Sequence, residues 1–275
     1  MAYANYEYDG QKRVGEVRDD VLVPLEGVAE IGPDMNTDVL NAAKRLEAEQ
    51  VAVADVYLRA ASPRASRVVC VGLNYKAHIE ESNRELPTYP VMFPKYASSL
   101  IVPNDDILLP PETEQPDFEG ELAVVIGRGG RRIKEAVAMD HVLGYSVSND
   151  VTMRDFQYKT HQWMQGKAWD NSTPLGPYVV TPGEVDLTSA GITTTLNNEV
   201  VQKSDLSYLI FSIPALIAVV SEFTRLEPGD VILTGTPSGV GYRRDPQLFL
   251  KPGDEITVEV EGVGSITNKV GAEKV

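Results

Sequence analysis

Gln115-Pro116-Asp117-Phe118-Glu119-Gly120-Glu121-Leu122-Ala123-Val124-Val125-Ile126-Gly127 is the stretch on which the fold turns. It leaves a proline-rich loop (Pro110, Pro111, Pro116), becomes an apolar, β-branched run and stops at Gly127. A short apolar run bounded by proline and glycine reads as a buried strand. Two carboxylates, Glu119 and Glu121, stand where it starts. Alternate residues of a strand point to one side, so both acids face the same way. Like charges side by side on a buried strand repel each other and resist leaving water. Either the pair lies on a solvated strand edge, or something positive sits between them. A hard divalent cation with oxygen ligands is the natural candidate.

Downstream, a helix is predicted at about 134–140, then a strand from Val142 that ends at Asp150. Three carboxylates from two strand ends suffice for a hard metal and leave about three octahedral positions open. Two of these could chelate neighbouring oxygens of a 2-oxo acid or 1,3-diketone. The metal would then act as a Lewis acid and stabilise the enolate formed when a C–C bond breaks. No His-Glu-x-x-His or Cys-x-x-Cys pattern supports zinc. Upstream, a strand at 67–72 precedes a predicted helical turn, Ala77 to Glu81. That turn puts His78 and Glu81 on one face, as a general base with its orienter or as structural polar residues. The polar segment after it carries Pro87 and Pro90, and residues 79–90 are expected to form a lid. Lys95 sits inside a strand-like run, Met92 to Tyr96, where a charge needs a reason. Lys167 could stabilise charge or lie on the surface. Thr236, in the loop Thr234 to Gly241, could donate hydrogen bonds to a substrate carboxylate. That loop lacks the Gly-Lys-Ser/Thr ending of a phosphate-binding loop, which argues against nucleotides.

The rest of the chain is mainly β. Short antiparallel strands are predicted at 6–10, 13–17 and 20–25, joined by Asp-Gly and Asp-Asp turns. A helix capped by Thr37 follows, then a strand from Val51 to Leu58. The segment Ala61 to Ser66 reads as a linker, with a boundary near 65: a small N-terminal α+β domain, 1–65, and a catalytic domain, 66–275. Later strands are predicted at 178–181, 192–201, 230–234, 255–260 and 264–270, with one apolar helix from Ser212 to Thr224. Leu226-Glu227-Pro228-Gly229-Asp230 and Leu250-Lys251-Pro252-Gly253-Asp254 repeat one turn phrase. Connections between strands are too short for repeated βαβ units, so the class is α+β, mainly β.

Hydrophobic residues make up 43% and charged residues 24% of 275, so a sizeable core is available. A net charge of −15 argues against nucleic acid and anionic membranes as partners. The longest apolar run, Leu209 to Val220, is too short to span a bilayer. One cysteine, Cys70, excludes an internal disulfide framework and fits the reducing cytoplasm; within an apolar strand it reads as core filler. The N-terminus lacks the basic and apolar regions of a signal peptide.

Taken in order, Asn74-Tyr75-x-x-His78-x-x-Glu81, Phe118-Glu119-Gly120-Glu121-Leu122, Asn149-Asp150-x-x-x-Arg154-Asp155-x-Gln157, Lys167 with Asp170, and Gly235-Thr236-Pro237-Ser238-Gly239 resemble the fumarylacetoacetate hydrolase family over about residues 65–270. The resemblance implies a mixed β-roll catalytic domain, a small N-terminal domain and a homodimer. It implies Mg²⁺ or Mn²⁺ held by Glu119, Glu121 and Asp150, a place that Ca²⁺ from a crystallisation medium could take. It also implies a His78–Glu81 dyad on a lid, with Arg154, Gln157, Lys167 and Thr236 holding or polarising substrate. Tyr75 and Lys95 complete the candidate substrate contacts. Two departures touch the pocket. Leu73 stands where many acylpyruvase-like members have Arg, and Asn171-Ser172-Thr173 replaces a common Thr-Phe. The expected reaction is C–C hydrolysis of an acylpyruvate-like 2-oxo acid or diketone. The alternative is isomerisation of 2-hydroxyhepta-2,4-dienedioate or decarboxylation of oxaloacetate at the same site.

Overall fold

A computed structural model describes residues 1–81, 85–103 and 105–274, except for the side chains of 78–80. The strand quoted above runs Gly120–Ile126 and is buried along its whole length. Alternation sends its residues into two cores. Leu122, Val124 and Ile126 pack with Ile192, Val258 and Val260. Ala123 and Val125 pack with Tyr3, Leu40 and Cys70. Both faces are therefore covered, which is why the run is continuously apolar.

On one side of this strand lies Val142–Asn149, antiparallel; on the other lies Val231–Leu233, also antiparallel. Val231–Leu233 pairs in parallel with Val68–Gly72, which pairs with Val91–Lys95. Beyond Val142–Asn149 comes Thr173–Val180, then Ala2–Tyr8, Gln11–Arg18 and Val21–Pro24. The N-terminal strands thus extend the same 12-stranded sheet. The boundary expected near residue 65 falls in the segment between Tyr57–Leu58 and Val68–Gly72. A second, five-stranded sheet contains Gly191–Leu196, Glu199–Asp205, Glu255–Val260, Gly264–Ala272 and Ile107–Leu109. It packs on the first through the Leu122 core.

Several elements differ from expectation for local reasons. The helix cap is Asn36, whose Oδ1 accepts from Val39 N at 2.9 Å; Thr37 is the first helical residue. Val51 to Leu58 is broken by a single 3₁₀ turn at Val53–Asp55. The segment at 134–140 is a 3₁₀ helix, Glu135–His141. The run 192–201 is a hairpin, because Asn197 and Asn198 both take positive φ (49° and 68°). Asparagine tolerates that conformation, and two such residues make a tight turn. The apolar helix forms as expected at Ile213–Phe223, capped by Ser212. No helix among the described residues is long and apolar enough to cross a membrane.

Candidate active site

Strand register brings the acids together. Gly120 faces Asn149, and Glu121 faces Ser148. One step further, Asp150 N donates to the Glu119 carbonyl at 2.8 Å, and Glu119 N donates to Asn149 Oδ1 at 2.9 Å. Glu119, Glu121 and Asp150 each offer a carboxylate oxygen, all within 4.8 Å of one another. Their exposures are 5%, 1% and 0%, which excludes the solvated-edge alternative.

Three buried cations surround these acids. Lys167 Nζ bridges Glu119 Oε2 at 2.8 Å and Asp150 Oδ2 at 2.9 Å. Lys95 Nζ lies 2.5 Å from Asp150 Oδ1 and donates to the Val151 carbonyl at 3.1 Å. Arg154 Nη2 lies 2.7 Å from Glu119 Oε1, and its Nε donates to Asp117 Oδ2 at 2.8 Å. Burial alone would lower the Lys167 pKa, but Asp150 and Glu119 outweigh it and hold the ammonium protonated. Arg154 behaves likewise beside Asp117 and Glu119.

Glu121 differs. Among the described residues it has no cation at ion-pair distance; its Oε2 accepts from Gly235 N at 2.7 Å. Burial first, then Asp150 and Glu119, push its carboxyl well above its ordinary value. An uncompensated carboxylate beside two others is a hard-oxygen donor set that a divalent cation would complete, so the residues fit the expected metal.

Of the three carboxylates Glu119 lines a narrow cleft, together with Arg154, Gln157, Lys167, Thr236 and Leu73; Glu121 and Asp150 lie buried beside it. Phe93, Tyr158, Trp163 and Tyr242 supply aromatic walls. Two short helical turns carry the polar groups: Arg154–Gln157 and Met164–Lys167. They pack so closely that a Cβ on Gly166 would meet the Gln157 backbone at 2.5 Å. Gln157 Oε1 accepts from Arg154 Nη1 at 2.9 Å, which leaves its amide N–H groups for the cleft. Thr236 Oγ1 accepts from Gln202 Nε2 at 2.8 Å, which leaves its own O–H to donate.

The other sequence candidates are placed differently. Lys95 is buried against Asp150 and is not among the residues that line the cleft. Tyr75 is 1% exposed and packs in the Leu122 core. Its hydroxyl lacks a hydrogen-bond partner among the described residues. Both Glu81 oxygens accept from Gly239 N at 3.2 Å, so Glu81 is tied to the Thr236 loop. The helix Lys76–Glu81 forms as expected. The His78 side chain, and with it the dyad, lies outside the described residues, as do residues 82–84 of the expected lid.

Two site residues escaped sequence reasoning. Asp117 accepts from Gly241 N at 2.7 Å and Tyr242 N at 3.0 Å besides Arg154, and so joins the cleft's two halves. Gln202 fixes Thr236 while its Oε1 accepts from Gly120 N at 3.0 Å. Asp117 stood inside the quoted stretch, but two of its partners, Gly241 and Tyr242, come more than a hundred residues later. Gln202 had no signal at all.

The family model "Fumarylacetoacetate (FAA) hydrolase C-terminal" matches residues 67–271. The chain is 46% identical over 237 residues to human oxaloacetate tautomerase FAHD2A, mitochondrial, covering 84% of this chain and 76% of that one. A solved structure of 5-carboxymethyl-2-hydroxymuconate delta-isomerase from Mycobacterium smegmatis superposes with a TM-score of 0.86 at 34% identity, over 99% of this chain and 100% of that one. The 2-hydroxyhepta-2,4-diene-1,7-dioate isomerase from Mycobacterium marinum superposes at 0.84 with 32% identity, over the full length of both chains.

Proposed function

The chain belongs to the fumarylacetoacetate hydrolase family, and on that premise we propose that it is a Mg²⁺- or Mn²⁺-dependent enzyme that isomerises an enolisable 2-oxo acid. Oxaloacetate heads the candidate substrates, because relatives at 44–46% identity are named oxaloacetate tautomerases. The observation that carries the reading is the buried three-carboxylate cluster, with no cation at ion-pair distance of Glu121 among the described residues, meeting a polar cleft at Glu119. In keto–enol exchange a proton leaves the carbon beside the carbonyl and one arrives on the carbonyl oxygen; no other reactant is consumed. When bound, the divalent cation supplies Lewis acidity for neighbouring substrate oxygens. The chain does the rest. Glu119, Glu121 and Asp150 hold the cation, and Lys95 fixes Asp150. The Lys167 ammonium faces developing negative charge, and Thr236 and Gln157 donate to substrate oxygens.

C–C hydrolysis, the first expectation from sequence, shares this enolate and also needs a water activated by His78 and Glu81. The relatives' names support the isomerase alternative better. On the same family premise the enzyme acts as a homodimer, which sedimentation would test. The single buried Cys70 suits a reducing compartment such as the cytoplasm, while the human relative is named as mitochondrial. A panel of oxaloacetate, hydroxydienoates and acylpyruvates, assayed by ultraviolet absorbance with Mg²⁺ or Mn²⁺, decides the reaction. Tautomerisation of oxaloacetate abolished by chelator is the expected result. Rapid acylpyruvate cleavage without it would restore hydrolysis, and His78→Ala should then stop cleavage.

A further inference from the structure

Arg243 also lines the cleft, on the wall that carries Tyr242. Its neighbour Arg244 is committed to the backbone, donating Nε to the Gly239 carbonyl at 3.0 Å and Nη2 to the Val201 carbonyl. The Arg243 backbone N donates to the Val240 carbonyl at 3.1 Å, and its guanidinium makes no hydrogen bond or ion pair among the described residues. Its guanidinium lies 5.3 Å from the centroid of the Tyr242 ring. That ring is itself supported by Tyr158 at 5.1 Å, and Tyr242 N is pinned to Asp117. The half-buried cation thus lies beside an aromatic pair, with its side-chain donors uncommitted among the described residues.

The charge of the site says what it waits for. With Glu121 ionised, as a bound cation would require, Asp117, Glu119, Glu121 and Asp150 carry four negative charges against three positive ones on Lys95, Lys167 and Arg154, so the ligand set bears one net negative charge. A divalent cation turns this into one positive charge, and Arg243 makes two. A molecule with an overall charge of −15 would otherwise repel a dianion.

We propose that Arg243 selects 2-oxo acids that carry a second carboxylate, binding that far carboxylate while the 2-oxo acid end lies over the acidic cluster. This rests on the reading of the site given above. Guanidinium–carboxylate pairing is charge-assisted and directional, so one residue can set this preference.

The test is calorimetric titration of the Mg²⁺-loaded protein with 2-oxoglutarate, 2-oxopentanoate (the same chain length without the second carboxylate) and oxalate. Wild type should prefer 2-oxoglutarate over 2-oxopentanoate by about 10- to 100-fold. Arg243→Gln should reduce that preference to within about threefold and leave oxalate affinity unchanged, and Arg243→Lys should recover part of it. Absence of the preference in wild type, or equal weakening of both oxo acids in Arg243→Gln, overturns the proposal while leaving the site reading intact. Failure of wild type to bind oxalate overturns the site reading, and this proposal with it.

Discussion

Glu121 and Lys167 pull stability in opposite directions, although both belong to one buried cluster. Glu121 is an acid kept without a cation, and its carboxyl lies well above its ordinary 4.5 because of burial and then Asp150 and Glu119. The fold therefore keeps a proton that the unfolded chain gives up. The stability this group supports is full below about pH 4.5 and is lost as pH rises towards the folded value. Metal-free wild type should lose stability between about pH 5 and 8 relative to Glu121→Gln; urea unfolding at the two pH values checks this. The same variant should bind Mn²⁺ at least about 100-fold more weakly, since a charged ligand is gone. Lys167→Met removes a cation from two buried carboxylates, which costs on the order of 3–5 kcal/mol in the metal-free protein. Loss of that positive charge should strengthen Mn²⁺ binding even as activity falls. Calorimetry showing weaker binding would mean that Lys167 holds the ligands in place rather than opposing the metal.

At the scale of elements, the site depends on two strands and a loop being held against the second sheet. Gly120 begins the ligand-bearing strand where a Cβ would meet Thr194 Oγ1 at 2.2 Å and Val258 Cγ1 at 3.0 Å. Gly120→Ala should cost about 1–3 kcal/mol by overpacking. It should also weaken Mn²⁺ binding, because Glu119 and Glu121 flank it; thermal melts with and without metal separate the two effects. Gly235 takes φ 105° while its N–H holds Glu121, and a Cβ there would meet Asn74 Cβ at 2.8 Å. The repeated turn phrase was local enough to read directly. Gly229 and Gly253 both take positive φ (81° and 96°), and Asp230 Oδ2 and Asp254 Oδ2 accept from Glu227 N and Lys251 N at 2.8 and 2.7 Å. Each is the same proline–glycine turn closed by the following aspartate. The Asn197–Asn198 turn obeys equally local rules, yet two β-branched runs on either side made it read as strand. Asn198→Gly should be neutral or stabilising by up to about 1 kcal/mol, because glycine adopts φ 68° without strain. A clear loss in melting temperature would show that the asparagine side chain holds the turn.

Across the whole molecule, the acidic cluster couples metal to folding. Mn²⁺ at 100 times its Kd should stabilise the protein by about 2.7 kcal/mol. For a chain of this size that is a rise of roughly 5–10 °C in Tm, reversed by chelator; an unchanged Tm would argue against metal binding at this cluster. How the charges compensate also marks the limit of what the chain reveals before it folds. Glu119 and Glu121 on one face, Asp150 at a strand end, the buried Cys70 strand and the apolar helix after residue 212 were all legible, because strand period, helix period and turn chemistry act over a few residues. The two strand ends suggested grouping the three acids, and the family motifs agreed with it. The sequence alone determined which residue types could meet a hard cation. Tertiary structure decided which of them would: that Lys95 is buried against Asp150 and does not line the cleft, that Asp117 binds Arg154 and the Gly241 backbone, and that Gln202 orients Thr236. It also left Arg243 uncommitted beside a committed Arg244. Each of those outcomes depends on groups brought together by strand pairing across many tens of residues, and a buried charge takes its role from whichever partner packing sets beside it.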